Sequence, residues 1–234
     1  MSLLELDRVE KRFRTAQREQ IVLRGVSLQM DAGELVGIWG MRRSGRTTLL
    51  RIAAGLETPD SGTVSFDGHD LAAGRSVLGG GIGYVRKTLR ASEEQGVLEQ
   101  VATGLLARGV GVRKARSQAR RALALTGAED CAAMQVGELG GGETLRIALA
   151  RVLVLSPALV IVDEPTTAVG LSERDGILAL LRGLAAQGVG VLASTTEADE
   201  LAGFHRALTL GEGELRGPSA PQLAPVVALR RHGM

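Results

Sequence analysis

Leu35-Val36-Gly37-Ile38-Trp39-Gly40-Met41-Arg42-Arg43-Ser44-Gly45-Arg46-Thr47-Thr48-Leu49-Leu50 is the stretch on which the fold turns. The apolar run from Leu35 to Trp39 stops at Gly40 and reads as a buried strand entering a tight turn. From Thr47 to Ala54 the residues favour a helix, with Gly55 as its C-cap. Between strand and helix, residues 40–47 match the phosphate-binding pattern G-x-x-x-x-G-K-[ST] except that Arg46 replaces the lysine. The glycines Gly40 and Gly45 let backbone N–H groups turn inward, and the helix N-terminus adds a dipole that favours an anion. The Thr47 hydroxyl is placed to ligate Mg2+. Taken alone, the stretch leaves open a plain glycine turn before an ordinary helix.

A second segment closes that alternative. Ala158-Leu159-Val160-Ile161-Val162-Asp163-Glu164-Pro165 is an apolar strand that ends in two carboxylates. It puts Asp163 at the sheet edge, where it holds magnesium through water, and Glu164 where it polarises an attacking water. Residues 189–193 give another buried-strand candidate, and helical stretches lie beside these strands. Such alternation predicts a mostly parallel sheet with helices on its faces. Residues 90–138 are charged, alanine-rich and helical in pattern, an insertion within the α/β chain.

Composition narrows the function classes. The chain has 234 residues, 44% of them hydrophobic, enough for a full core. A formal net charge of +2 implies no nucleic-acid surface. The single cysteine, Cys131, excludes an internal disulfide framework and suits a reducing compartment. The first residues, MSLLELDRVEKRF, lack the apolar core of a signal peptide. The apolar stretch 147–162 is broken by Arg151, Ser156 and Pro157, so it does not read as one spanning helix. The basic residues Arg108, Arg113, Lys114, Arg116, Arg120 and Arg121 read as a solvated helical face.

Upstream of the acidic strand runs Leu139-Gly140-Gly141-Gly142-Glu143, followed by Thr144-Leu145-Arg146-Ile147-Ala148-Leu149-Ala150-Arg151. This resembles the LSGGQ or LSGGE signature of ABC ATPases, and the hairpin Gly62-Thr63-Val64-Ser65-Phe66-Asp67-Gly68 also matches that family. The resemblance implies one domain over 1–234, with 1–89 and 139–234 forming the nucleotide-binding core and 90–138 the helical insertion. Its fold class is α/β, a P-loop NTPase (RecA-like) core with an antiparallel β edge and an inserted α-helical subdomain. It implies ATP and Mg2+ as cofactors and Thr47 and Asp163 toward the metal. Around the nucleotide it implies Phe13 on adenine, with Gly40, Arg42, Arg43, Ser44, Gly45, Arg46, Thr47 and Thr48 in the phosphate loop. In this family two cassettes face each other head to tail, so residues 139–143 close the partner's site. A membrane permease is the implied partner and the cytoplasmic face of the membrane the implied location. The inserted segment 17–20 also resembles the lipoprotein-release and macrolide-export branch.

The departures from that pattern are as informative as the matches. Arg46 keeps the lysine's charge but is planar and bulkier, and is expected to be too large to enter the loop. Arg43 stands where the family has glycine, Lys87 where it has glutamine, and Gly140 where it has serine. Gly170 replaces an aspartate and Thr196 the histidine that contacts the γ-phosphate, while His205 reads as a surface residue. Removing one transition-state donor costs about 10²–10³ in rate, so several losses leave little turnover while binding persists. The expectation is an ATP-binding subunit that hydrolyses weakly through Glu164 and pairs with a more complete cassette. Lys87 is expected to take over part of the phosphate charge. A fully active homodimeric ATPase and a soluble non-transport ABC protein remain the alternatives.

Overall fold

A computed structural model of the chain describes residues 2–15, 18–73, 81–86, 94–167 and 169–217. Two long strands, β1 (Leu4–Thr15) and β2 (Arg18–Met30), precede β3 (Leu35–Trp39), the apolar run that the sequence singles out. Helix α1 (Arg46–Ala53) is followed by β4 (Ser61–Phe66), β5 (His69–Asp70) and β6 (Ile82–Val85). Helices α2 (Val97–Ala107), α3 (Val112–Leu125) and α4 (Gly141–Leu153) then lead to β7 (Leu159–Val162). Helix α5 (Leu171–Ala186), β8 (Gly190–Thr195), β9 (Arg206–Gly211) and β10 (Glu214–Arg216) complete the described elements.

The main sheet runs β10-β9-β3-β8-β7-β6. Its strands are parallel apart from the antiparallel pair β9 and β10. A parallel sheet is covered on both faces, which is why its strands read as unbroken apolar runs. Leu159 and Ile161 of β7 join a core shared with Leu49, Leu50 and Ile52 of α1, whereas Val160 and Val162 join one shared with Ile177, Leu181 and Leu184 of α5. Alternate residues thus fill opposite layers, as the strand's two-residue period dictates.

The antiparallel part is larger than the edge expected from sequence. It is a separate four-stranded sheet, β2-β1-β4-β5, packed through Leu4, Leu6, Leu23 and Val26 against α1 and the strands below. Its two long strands are hard to read because their pairing slips between Leu6 and Val9 and again around Lys11. Arg8 and Gly25 take positive φ at these irregularities, which breaks the simple apolar alternation.

Helices α2 and α3 fall within 90–138 and pack on α4. Ala115, Ala119, Ala122 and Leu123 recur at helical spacing on the buried face of α3, where small side chains permit close approach. The apolar stretch 147–162 divides between the end of α4 and β7, with Ser156 at φ 53° and Pro157 in the turn. Among the described residues, no helix is long and apolar enough to cross a membrane. His205 is exposed, as expected, but it also ties the sheet: its Nδ1 accepts from the Leu35 N–H at 3.1 Å.

Gly62 shows how tightly β4 meets β1. It has φ +83°, and a Cβ there would lie 2.4 Å from the Arg8 carbonyl oxygen and 2.5 Å from that of Asp7. Gly68 has φ +73° with open space around it. A left-handed L-residue costs roughly 1–2 kcal/mol and overpacking roughly 1–3 more. Gly62→Ala should therefore lower the melting temperature by roughly 4–20 °C and Gly68→Ala by less, about 2–8 °C. Equal shifts in thermal unfolding would contradict the packing described.

Candidate functional site

The parallel strands deliver the chemistry from their carboxyl ends, where open α/β sheets bind ligands. The loop 40–47 leaves β3, Asp163 and Glu164 leave β7, and Thr196 follows β8. Asp163 is 6% exposed at the end of an interior strand between β6 and β8, so it does not lie at the lateral edge of the sheet. Lys87, next after Arg86 beyond β6, lies outside the described residues.

Gly45 sets the shape of the loop. It has φ +102°, and a Cβ there would meet Val22 Cγ1 at 2.8 Å and the Val22 carbonyl oxygen at 3.0 Å. It is also the N-cap of α1 and makes no side-chain cap bond, which leaves the first N–H groups of the helix open to a ligand. Arg43 takes φ 67°, a left-handed position at which a family glycine would be unstrained. A cavity of about 800 Å³ opens over this loop, lined by residues 42–48, Val22 and Glu164.

Arg46 departs from its expected place. It is only 5% exposed and lines the cavity with the rest of the loop, so its bulk does not keep it out. Its Nη2 reaches Glu164 Oε1 at 2.8 Å, bridging the phosphate loop and the end of β7. Glu164 holds φ 49°, and its Oε2 also accepts from the Thr167 hydroxyl at 3.0 Å. The Arg46 Nη1 and the Ser44 Oγ are buried without a hydrogen-bond partner among the described residues. Buried donors are seldom left unpaired, so this pair suits an oxyanion.

The residues also fit magnesium. Thr47 Oγ1 donates to Asp163 Oδ2 at 2.9 Å, bringing together the hydroxyl and carboxylate that the sequence assigned to the metal. Magnesium is commonly held by one or two protein groups plus phosphate oxygens and water, and this donor set is of that kind. Ser194 Oγ donates to the other oxygen, Oδ1, at 2.8 Å. Neither Ser194 nor Thr167 was singled out from sequence, although two hydroxyl residues ending the apolar run of β8 were a visible signal.

The remaining expected residues are not gathered at this cavity. Residues 139–143 do not line it. Gly140 caps α4, and its N–H donates to Glu143 Oε2 at 2.8 Å. Gly142 is buried, with the Glu173 carboxylate against it. Phe13 is 41% exposed and does not line the cavity; Lys11 Nζ lies 5.4 Å from its ring centre. Thr196 is half-buried, and its carbonyl accepts from Trp39 Nε1 at 3.0 Å. Its hydroxyl bonds Glu197 Oε1 at 3.4 Å, so neither polar group of Thr196 is directed to the loop by a bond.

Comparison with known proteins gives the family and the fold. The sequence model of the family described as ABC transporter matches residues 23–167. The lipoprotein-releasing system ATP-binding protein LolD of Chromohalobacter salexigens is 37% identical over 219 residues, covering 91% of this chain and 92% of that protein. The protein of the same name from Hyphomonas neptunium is 36% identical, covering 91% and 96%. Among solved structures, the dimeric bacterial ABC transporter cassette MJ0796 superposes with a TM-score of 0.82 at 26% identity, covering 91% of this chain and 96% of that one. A post-hydrolysis state of the same cassette, bound to ADP and Pi, gives 0.81.

The only tyrosine, Tyr84 on β6, offers an optical test of the site. Desolvation first, and then the Asp163 charge, push its phenol well above the ordinary value of 10.0. Above about pH 10 the unfolded chain ionises its tyrosine while the native chain does not, so stability should fall as pH rises through that window. Absorbance at 295 nm should show no phenolate in the native protein at pH 10.5, and normal titration in denaturant. Asp163→Asn should lower the native value only in part, because burial is the larger cause. A native midpoint near 10 would contradict the arrangement.

Proposed function

Because the chain belongs to the ABC transporter family as an ATP-binding subunit, we propose that it binds ATP with magnesium, hydrolyses it weakly, and acts beside a more complete cassette. The observation that carries this is the contact between Arg46 and Glu164. Glu164 is the group that would take a proton from the attacking water, and Arg46 is the cation that would meet the phosphates. Each occupies the other. Glu164 is further held by Thr167, so it must give up two partners to serve as a base. Thr47 and Asp163 would hold magnesium, which would supply neutralising charge for the phosphates, and the loop amides with Arg42, Arg43 and Ser44 would supply the remaining contacts. Thr196 has no imidazole with which to meet the γ-phosphate. Binding thus keeps most of its donors while hydrolysis loses several.

The same accounting supports a heteromeric assembly. In a homodimer both composite sites combine every defect. Beside an intact partner, residues 139–143 still serve the partner's phosphate loop, having lost one serine hydroxyl, worth about 0.5–1.5 kcal/mol as an ordinary hydrogen bond. A permease is the expected further partner, holding the subunit at the cytoplasmic face of the membrane. A cleft of about 420 Å³ between β6, α2 and α4 supports this. Tyr84, Arg86, Gln100 and Arg151 line it, no carboxylate does so among the described residues, and burial lowers the pKa of Arg151. Such a cleft suits a permease segment that carries an acidic side chain.

ATP affinity and phosphate release measured on one preparation test the first part. We expect clear ATP binding with phosphate release near background. Robust turnover that Glu164→Gln abolishes would instead establish the alternative of an active ATPase. Native mass spectrometry of the chain co-expressed with its permease tests the second. One copy of this chain beside a different cassette is expected, and two identical copies on the permease would refute it.

A further inference from the structure

Ser194 is wholly buried on β8, and its hydroxyl is used twice. It donates to Asp163 Oδ1 at 2.8 Å and accepts from the Glu164 N–H at 3.0 Å. The acceptance comes just beyond the end of β7. Asp163 N–H still bonds the Val85 carbonyl at 3.0 Å, but at the next residue the chain leaves the sheet with φ 49°. There the Glu164 N–H donates to the Ser194 hydroxyl. One hydroxyl therefore sets the side chain of the first acidic residue and the backbone of the second.

We infer that Ser194 is a positioning residue for the metal–nucleotide site. By occupying Oδ1 it leaves Oδ2 of Asp163 turned to Thr47, and by holding the Glu164 amide it keeps the Glu164 side chain on the cavity. With Thr47 turned to a bound magnesium, Ser194 would be the hydroxyl that orients Asp163. A valine or alanine at 194 would fill the same strand position and could do neither task. The inference rests on the reading of Asp163 and Thr47 as the metal-facing pair.

The test measures ATP affinity with magnesium and with a chelator, and takes the ratio of the two. Manganese affinity in the presence of ATP, read from the free-ion electron paramagnetic resonance signal, gives an independent measure. Ser194→Ala should lower the ratio and the manganese affinity by roughly tenfold or more, the scale on which losing an outer partner weakens a metal site. Ser194→Thr, which keeps the hydroxyl, should restore both. If its added methyl prevents folding, Ser194→Cys, with a weaker donor of similar size, should fall between. A wild-type ratio in Ser194→Ala, with a lowered ratio in Asp163→Ala, would overturn the inference and leave the metal site standing. An unchanged ratio in both variants would overturn the metal reading itself, and the inference with it.

Discussion

Arg46 and Glu164 come from residues far apart in the chain, and their contact at 2.8 Å depends on β3 and β7 lying on either side of β8 in one parallel sheet. Both side chains are largely removed from water, with 5% and 13% exposure. Separating such a pair leaves an uncompensated charge in a dehydrated place, which typically costs about 3–5 kcal/mol. A phosphate arriving at the loop can compensate Arg46, but it does nothing for Glu164. With phosphate on the Nη1 of Arg46 and Glu164 kept on Nη2, nucleotide would bind while the carboxylate stays occupied. On the proposed reading, this is why binding is easier to retain than hydrolysis.

Around that pair the carboxylates are ordered by hydroxyl groups. Thr47 and Ser194 hold the two oxygens of Asp163, and Thr167 holds one oxygen of Glu164. Tyr84 extends the arrangement outward: it lines the cleft beside Arg151, and its phenol feels the Asp163 charge. Its strand β6 pairs with β7 throughout, which places the cleft one strand away from the residues just before Asp163.

Much of this was legible because the buried parallel strands are short, apolar and end abruptly. The limits of β3 in the sequence coincide with those in the structure, and Asp163 and Thr47 meet as their motifs require. The antiparallel sheet was harder to see, since irregular pairing in β1 and β2 erases the two-residue period. Arg46 was misjudged for a different reason. Its size argued against entry to the loop, but the carboxylate that draws it inward lies 118 residues away, and no local pattern reports that distance. Ser194 was missed because two hydroxyls ending a buried strand are a signal without a motif; its two partners reveal its use.

The most direct measurement is a double-mutant cycle on Arg46→Ala and Glu164→Ala, read as unfolding free energy with and without ATP. The account predicts a favourable coupling of about 1–3 kcal/mol in the absence of nucleotide, within the range found for contacting charged residues. It also predicts that the coupling persists with ATP and magnesium, because phosphate meets the Nη1 of Arg46 while Nη2 stays on Glu164. Coupling below about 0.5 kcal/mol without nucleotide, the level seen for independent sites, would contradict the account.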